Sequence, residues 1–188
     1  MEKTTKIIKR IAFFGDADLK PDNQTYKDAY NTAKLLAENG YIIVNGGGPG
    51  VMGAATAGAK AGNGEVELVV MDPKFAPNNY EGIDDNNLKS SSKTYYEKSY
   101  PDRLNKLIEI ADAFVVFKGG TGTLSEVGLI WENAKFKYGH HEPIIFFGKE
   151  WRQVISLLEE KMNYESIEKR VVTVIDSPEE VLKILKKI

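Results

Sequence analysis

A glycine-rich turn followed closely by an acidic residue is the stretch of this sequence best suited to chemistry. Residues 119–123, GGTGT, follow an apolar run that ends at Phe117, and Glu126 stands three residues further on, where a helical pattern begins. Glycines let the backbone approach a ligand closely, and the free amides at a helix start carry partial positive charge. The turn is therefore predicted to bind an anion, most suitably a phosphate. Glu126 would then lie beside the group attached to that phosphate.

A second glycine-rich turn, residues 46–53 with the sequence GGGPGVMG, follows another apolar run and precedes an alanine-rich helical pattern. Within it, residues 48–53 match the G-x-G-x-x-G pattern of dinucleotide sites, and Asp72 ends the next apolar run. The match follows the second strand rather than the first, and the turn at 119–123 competes for the phosphate. A dinucleotide site, a purely structural turn and a share in one mononucleotide pocket are the three alternatives. We adopt the last as the working interpretation.

Six apolar runs are predicted as strands, and helical patterns separate them. The strands cover residues 7–14, 41–44, 66–71, 113–117, 143–147 and 171–175. Strands and helices alternate without hairpin signals, which is typical of a parallel sheet covered by helices on both faces. Ligands in such folds bind beyond the carboxyl ends of the strands, where Gly15 and both glycine-rich turns fall.

The segments outside these elements allow weaker predictions. Residues 72–93 are rich in Asn, Asp and Ser, and we expect a long irregular segment of the kind that forms lids or binding loops. Tyr95 and Tyr96 follow it and could either stack on a base or pack against other residues. The pair His140 and His141, followed by Glu142, is predicted to lie in a solvated loop rather than to hold a metal.

Length, charge and composition limit the classes of protein to consider. The 188 residues are expected to form a single domain over 1–188, because no Pro/Ser-rich linker divides them. A formal net charge of -2 gives no support to a nucleic-acid polymer as partner. The absence of cysteine excludes disulfides and thiol nucleophiles. Since the sequence shows neither a signal peptide nor a run of about 18 apolar residues, we expect a cytoplasmic protein without a membrane partner.

Both glycine-rich turns resemble signatures of the Lonely guy family, the cytokinin-activating phosphoribohydrolases. Residues 119–126, GGTGTLSE, match the GGxGTxxE part of that signature, residues 46–53 are similar to GGGxxGLMG, and Arg103 matches the functional arginine. The order of elements agrees from about residue 11 to 182. The resemblance implies an α/β, three-layer Rossmann-like fold, with a parallel sheet of about six or seven strands and helices on both faces. It also implies a homodimer that cleaves the N-glycosidic bond of nucleoside 5′-monophosphates without metal or organic cofactor.

The same resemblance implies that Arg103 and Glu126 are the catalytic pair. A carboxylate beside the sugar can stabilise the positive charge that develops as the glycosidic bond breaks, or it can activate water. Arginine offers fixed, always-charged donors to a phosphate or a leaving base. The remaining residues predicted to bind phosphate or nucleotide are Gly15, Asp16, Gly46, Gly47, Gly48, Met52, Lys118, Gly119, Gly120, Thr121, Gly122 and Thr123.

Three positions depart from the family pattern. Lys118 stands where a proline is usual, Leu104 where a lysine follows the arginine, and Asp16 where members commonly carry serine. Lys118 could strengthen phosphate binding, and Asp16 would weaken it unless it bonds to ribose hydroxyls. These departures concern the substrate and keep open a second hypothesis, a non-catalytic nucleotide or molybdenum-cofactor carrier of the same fold.

Lysine decarboxylation, a label often given to such proteins, has no support in the sequence. Pyridoxal phosphate needs a lysine for its Schiff base, and the usual Ser-x-His-Lys setting of that lysine is absent.

Overall fold

A parallel sheet forms the centre of the computed structural model, which describes residues 8–77, 80 and 82–188. Within those residues its strands are β1 (Arg10–Phe14), β2 (Ile42–Asn45), β3 (Val66–Met71), β4 (Lys93–Glu97), β5 (Ala113–Val116), β6 (Ile144–Phe147) and β7 (Val172–Ile175). All neighbouring strands pair in parallel, in the order β4-β3-β2-β1-β5-β6-β7. The predicted α/β class and parallel sheet are therefore confirmed.

The helices in the same residues are α1 (Gln24–Glu38), α2 (Val51–Ala61), α3 (Asp85–Ser90), α4 (Tyr100–Ile110), α5 (Thr121–Phe136), α6 (Glu150–Lys161), α7 (Ser166–Arg170) and α8 (Pro178–Leu185). Short polar side chains begin several of them. Asn23 accepts from the Thr25 amide, Ser99 from Asp102, and Ser177 from Glu180. Each such cap satisfies an amide that has no partner within its own helix. No helix among these is long and apolar enough to cross a membrane.

The sheet separates two apolar cores, because successive side chains of a strand point to opposite faces. On β1, Ile11 and Phe13 pack with α1, α2 and α8, whereas Ala12 and Phe14 pack with α4, α5 and α6. Both faces of the sheet are thus covered by helices, which confirms the predicted three-layer arrangement.

The prediction of an irregular segment over residues 72–93 is wrong for part of that range. Residues 85–90 form α3, which Asp84 caps by accepting from the amides of Asn86 and Asn87. β4 begins at Lys93 and adds a strand at the edge of the sheet, beside β3. Because one side of an edge strand meets solvent, β4 is polar and only half-buried, and it lacks the apolar run that marks the inner strands. Residues 78, 79 and 81 of the predicted segment, and residue 7 of the first predicted strand, lie outside the described residues.

Candidate active site

A cavity of about 480 Å³ opens at the carboxyl ends of the strands. Loops that follow β1 and β3 form part of its wall, and the first turns of α2, α4 and α5 form the rest. Its location agrees with the rule that parallel sheets bind ligands beyond the carboxyl ends of their strands. The lining residues are Gly15, Asp16, Ala17, Asp18, Met52, Pro77, Tyr80, Gly82, Tyr100, Arg103, Gly120, Thr121, Gly122, Thr123 and Glu126.

The N-terminus of α5 supplies the anion-binding part of the cavity. Gly120 is its N-cap, and no side chain within the described residues caps the helix start. The first amides of a helix have no partner inside the helix, so they are available to an anionic ligand. Gly120 and Gly122 have open space where a side chain would begin. An anion can therefore approach the backbone of this turn closely.

Gly119 has a structural role in packing that Gly120 and Gly122 do not have. A Cβ atom at this position would collide with the Thr123 side chain and lie 3.0 Å from the Asp16 amide nitrogen. The adjoining Lys118 carbonyl accepts from that same amide at 3.2 Å. Gly119 thus allows the turn after β5 to lie directly on the loop after β1. The Lys118 side chain itself is exposed and is not part of the cavity lining.

Arg103 projects from α4 into the cavity wall and is only 4% exposed. Its Nε donates to the Val69 carbonyl at 3.0 Å, and its Nη2 donates to the Gly46 carbonyl at 3.1 Å. Arg103 lies off the apolar face of α4, whose Leu107 packs in the core instead. The burial of the guanidinium comes from the cavity wall rather than from the core. Leu104, which follows it, is also buried.

Glu126 lies on α5, one turn beyond the anion-binding amides, and is 9% exposed. Burial raises the pKa of its carboxyl from 4.5 to about 7, and the nearby positive charge of Arg103 partly opposes that rise. Among the described residues no ion pair joins Arg103 to Glu126, so this influence acts through space. A carboxyl with a pKa close to neutrality can both accept and donate a proton under physiological conditions.

The second glycine-rich turn lies next to the cavity and is held there by hydrogen bonds to side chains and backbone. The Asn87 side chain donates to the Gly48 carbonyl at 2.5 Å and to the Gly47 carbonyl at 3.4 Å. The Gly47 amide donates to Asn45 Oδ1 at 2.8 Å. At the start of α2, the Val51 amide donates to the Asp16 carbonyl at 2.8 Å. A dinucleotide pyrophosphate would bind to this first amide of α2. Because the amide already donates to Asp16, α5 is favoured over α2 as the anion site.

The structure brings most of the predicted site residues into one cavity. Those that line it are Gly15, Asp16, Met52, Arg103, Gly120, Thr121, Gly122, Thr123 and Glu126. Gly46, Gly47, Gly48, Gly119 and Lys118 are outside the lining. Tyr95 and Tyr96 are outside it as well: the Tyr95 hydroxyl donates to Glu67 Oε2 at 3.3 Å, and Tyr96 is 56% exposed.

Two tyrosines of the lining were missed from the sequence. Tyr100 begins α4, and its hydroxyl lies 2.6 Å from Ser125 Oγ and 3.4 Å from the Gly122 carbonyl oxygen. Tyr80 belongs to the segment predicted as a binding loop, and that prediction was the available signal for it. Its hydroxyl is buried and has no hydrogen-bond partner in the described part of the chain. Burial raises its pKa, and the charge of Arg103 opposes the rise.

No cluster of three or more His, Asp or Glu side chains that could hold a metal ion occurs in the residues described. The polar groups of the cavity are the buried carboxyl of Glu126, the buried guanidinium of Arg103, two further carboxyl groups, two phenols, two threonine hydroxyls and a helix N-terminus.

Comparisons with known proteins agree with this architecture. A family model described as possible lysine decarboxylase matches residues 52–188. An uncharacterized protein from Archaeoglobus fulgidus is 28% identical over 143 residues, which are 76% of this chain and 86% of that protein.

Solved structures with the same fold are more distant in sequence. The molybdenum cofactor binding protein from Rippkaea orientalis is 22% identical, with 96% of each chain covered and a TM-score of 0.72. The molybdenum cofactor carrier protein from Chlamydomonas reinhardtii is 20% identical, with 96% of this chain and 97% of that chain covered and a TM-score of 0.69. DNA processing protein A from Helicobacter pylori is 16% identical, with 95% and 80% covered and a TM-score of 0.65.

Proposed function

Because the chain belongs to the family described as possible lysine decarboxylase, the Lonely guy type of Rossmann-like protein, we propose that it is a nucleoside 5′-monophosphate phosphoribohydrolase. It would cleave the N-glycosidic bond and release the free base and ribose 5-phosphate. The observation that carries this proposal is the position of Glu126, a buried carboxyl one turn beyond an uncapped helix N-terminus in the same cavity.

The 5′-phosphate would bind at the start of α5. The amides of Gly120, Thr121 and Gly122 and the buried Thr123 hydroxyl supply donors there. The partial positive charge of the helix N-terminus favours the phosphate by roughly 0.3–1 kcal/mol, and more where the site is partly buried. A phosphate held at this point directs the attached ribose along the cavity towards Glu126.

Glu126 would carry the proton transfer. The bond between C1′ and the base nitrogen breaks with its electron pair leaving on the base, and positive charge develops on the ribose ring. Ionised Glu126 stabilises that charge and accepts a proton from the attacking water, whose oxygen forms the new bond to C1′. The departing base takes up the proton, so that nucleotide and water become base and ribose 5-phosphate.

Arg103 would act mainly by positioning and by charge. Its Nε and Nη2 are engaged with the backbone carbonyls of Val69 and Gly46. These bonds fix the guanidinium beside the cavity, where its charge favours the ionised form of Glu126. An ionised Glu126 is the form that the proposed reaction requires.

Pyridoxal phosphate, which lysine decarboxylation would use, does not fit this cavity. The cofactor forms a Schiff base with a lysine, and no lysine lines the cavity within the described residues. We therefore assign no step to this cofactor.

The test is incubation of purified protein with AMP, GMP, CMP and UMP, with the released base and ribose 5-phosphate measured by chromatography. Glu126→Gln should lower kcat by about 10² to 10⁴, because a positioned acid or base typically contributes that factor. Glu132→Gln is the matched control, since Glu132 is exposed on the same helix and pairs with Lys135 at 3.1 Å. Absence of base release from all four nucleotides would rule out hydrolysis of these common monophosphates.

A second candidate function is non-catalytic binding of a phosphate-bearing pterin such as the molybdenum cofactor. The observation that favours it is the engagement of Arg103 with backbone carbonyls, which leaves fewer of its donors for a reacting substrate. Two solved structures of this fold, one named a molybdenum cofactor binding protein and the other a molybdenum cofactor carrier protein, are consistent with it. Recovery of the ligand intact after prolonged incubation would distinguish a carrier from a hydrolase.

A further inference from the structure

The cavity of the proposed active site carries more negative than positive charge. Three carboxyl groups line it, those of Asp16, Asp18 and Glu126, and within the described residues Arg103 is the one cationic side chain of the lining. The Lys118 side chain is exposed and lies outside the lining. Because aspartates are ordinarily ionised at neutral pH, the cavity favours a ligand that carries positive charge in addition to its phosphate.

The loop that carries both aspartates is anchored on two sides. The Asp16 amide donates to the Lys118 carbonyl at 3.2 Å, and the Asp16 carbonyl accepts from the Val51 amide at 2.8 Å. Asp16 Oδ1 accepts from the Asp18 amide at 2.9 Å, which fixes the carboxyl relative to its own loop. Serine is common at position 16 in the family, so the negative charge there is a departure of this chain from the family pattern.

Glu126 gives independent evidence that a ligand completes this site. Its side chain lines the cavity, is 9% exposed and has no hydrogen bond or ion pair among the described residues. Its two oxygens are not among the fully enclosed polar atoms that lack a partner, so they are open to the cavity. A buried carboxyl without a partner is unfavourable. Positive charge on a bound ligand supplies the partner that the protein does not.

The cavity lacks a group suited to protonate a departing base. No histidine or lysine lines it in the described part of the chain, and the Arg103 guanidinium does not lose its proton. The Tyr80 hydroxyl is enclosed, and the Tyr100 hydroxyl is engaged with Ser125. Glu126 accepts a proton from water in the proposed reaction, so it does not donate one in the same step. A positioned acid typically contributes about 10² to 10⁴ in rate, and a neutral base would leave without that help.

From these observations we infer that the substrate is a nucleoside 5′-monophosphate whose base carries a permanent positive charge, such as a pyridinium or an N7-alkylated purine. The inference rests on the proposed hydrolysis and names its class of substrate. As the bond between C1′ and the base nitrogen breaks, its electron pair neutralises the base, which leaves uncharged. The water oxygen forms the new bond to C1′, and one proton of that water passes to Glu126 and then to solvent. The products are the neutral base, ribose 5-phosphate and one proton.

Nicotinamide mononucleotide, whose base is a pyridinium, is the probe for this substrate class. Purified protein is incubated with it and with AMP, GMP, CMP and UMP, and the release of base is corrected for release without protein. We expect kcat/KM for nicotinamide mononucleotide to exceed that for each common nucleotide by about 10² or more, because its base leaves without a proton. Equal efficiency with a common nucleotide would overturn the inference and leave the proposed function intact. No release from any of the five would refute the proposed function, and the inference with it.

Reduced nicotinamide mononucleotide is the matched ligand, because it differs by one hydride and its base is uncharged. Titration calorimetry on Glu126→Gln, which lowers turnover, should show the oxidised form bound about tenfold more tightly than the reduced form. Adding Asp16→Asn and Asp18→Asn should bring the two Kd values within about twofold of each other. Asparagine at position 16 keeps the oxygen that accepts from the amide of residue 18.

Glu132→Gln, added to Glu126→Gln alone, is the control, since Glu132 is exposed and lies outside the lining. It should leave the ratio of the two Kd values unchanged. If Glu126→Gln bound the oxidised and reduced forms equally, or if the ratio survived the loss of both aspartate charges, the match between the acidic lining and a cationic base would be overturned.

Discussion

The Arg103 guanidinium occupies the space that a side chain at position 46 would need. A Cβ at Gly46 would collide with Nη2 of Arg103, and that same nitrogen donates to the Gly46 carbonyl at 3.1 Å. The absence of a side chain at Gly46 therefore makes room for the guanidinium. The second glycine-rich turn and Arg103 are far apart in the chain, and this contact brings them into one site.

Gly46→Ala should displace Arg103 and lower the stability of the protein. Forcing an extra methyl group into a well-packed site typically costs about 1–3 kcal/mol, and here the bond to the Gly46 carbonyl would also be lost. Urea denaturation followed by circular dichroism would measure the change in the free energy of unfolding.

Gly128→Ala is the control for that measurement. Gly128 lies exposed within α5 and has open space where a Cβ would be. Alanine in a helix interior is more favourable than glycine by about 0.5–1 kcal/mol, so this variant should be slightly more stable. If both alanine variants had equal stability, the guanidinium would not need the space at Gly46.

Glu126 should make the protein less stable as the pH rises from about 4.5 to 7. Its pKa is raised from 4.5 to about 7 on folding, so the folded state holds a proton that the unfolded state has already released. The stability linked to this group is present below pH 4.5 and is lost as the pH passes through 7. The full effect is on the order of 3 kcal/mol.

Glu126→Gln removes this dependence, because glutamine does not titrate. At pH 8 the variant should be more stable than the parent protein, and near pH 4.5 the two should be similar. Glu132→Gln, at an exposed position of the same helix, should follow the parent at both pH values. Denaturant unfolding at pH 5 and pH 8 would measure these differences in stability. If the parent protein instead gained stability relative to Glu126→Gln between pH 5 and pH 8, the predicted direction of the pH dependence would be wrong.

The pH dependence of hydrolysis should report the same carboxyl. If ionised Glu126 is the reactive form, kcat/KM rises with pH through a limb near 7, in line with its pKa of about 7. Arg103→Met removes the charge that opposes the rise of this pKa, so the limb should move to higher pH. Initial rates between pH 5 and 9 would measure both proteins. A limb that stays in place would show that the guanidinium does not act on Glu126 electrostatically.

Much of the fold follows from the sequence because the inner strands are apolar on both faces. Apolar runs such as Ala113–Val116 can be recognised as strands from the sequence, and a capping serine such as Ser99 or Ser177 marks the start of a helix. β4 cannot be recognised in this way, since an edge strand is half-solvated and its residues resemble those of a loop. The glycine-rich turns and Glu126 were also recognisable, because their residue types and spacing express backbone geometry and charge within a short segment.

The finer features of the site depend on contacts between distant parts of the chain. The burial of Arg103 requires the carbonyls of Val69 and Gly46, and the raised pKa of Glu126 requires the surrounding protein to exclude water. The hydroxyl of Tyr80, buried without a partner among the described residues, is visible only in the folded structure. Lys118 stays a predicted phosphate contact, and its side chain is exposed and lies outside the cavity lining.

Gly122→Ala should separate ligand binding from folding. Nothing in the described structure lies within 4 Å of a Cβ at Gly122, so the variant should fold with a melting temperature close to that of the parent. The residue lines the cavity in the first turn of α5, where the proposed phosphate needs close contact with backbone amides. The added methyl group should therefore weaken ribose 5-phosphate binding about tenfold or more, which corresponds to a loss of about 1.4 kcal/mol.

Gly119→Ala provides the contrast, because its Cβ would collide with the Thr123 side chain inside the protein. This variant should lose stability as well as binding, whereas Gly122→Ala should lose binding only. Thermal unfolding and calorimetric titration with ribose 5-phosphate, performed on both variants and the parent, measure the two effects independently. Undiminished binding by a folded Gly122→Ala protein would mean that the phosphate does not lie against this turn, and the site at the N-terminus of α5 would have to be abandoned.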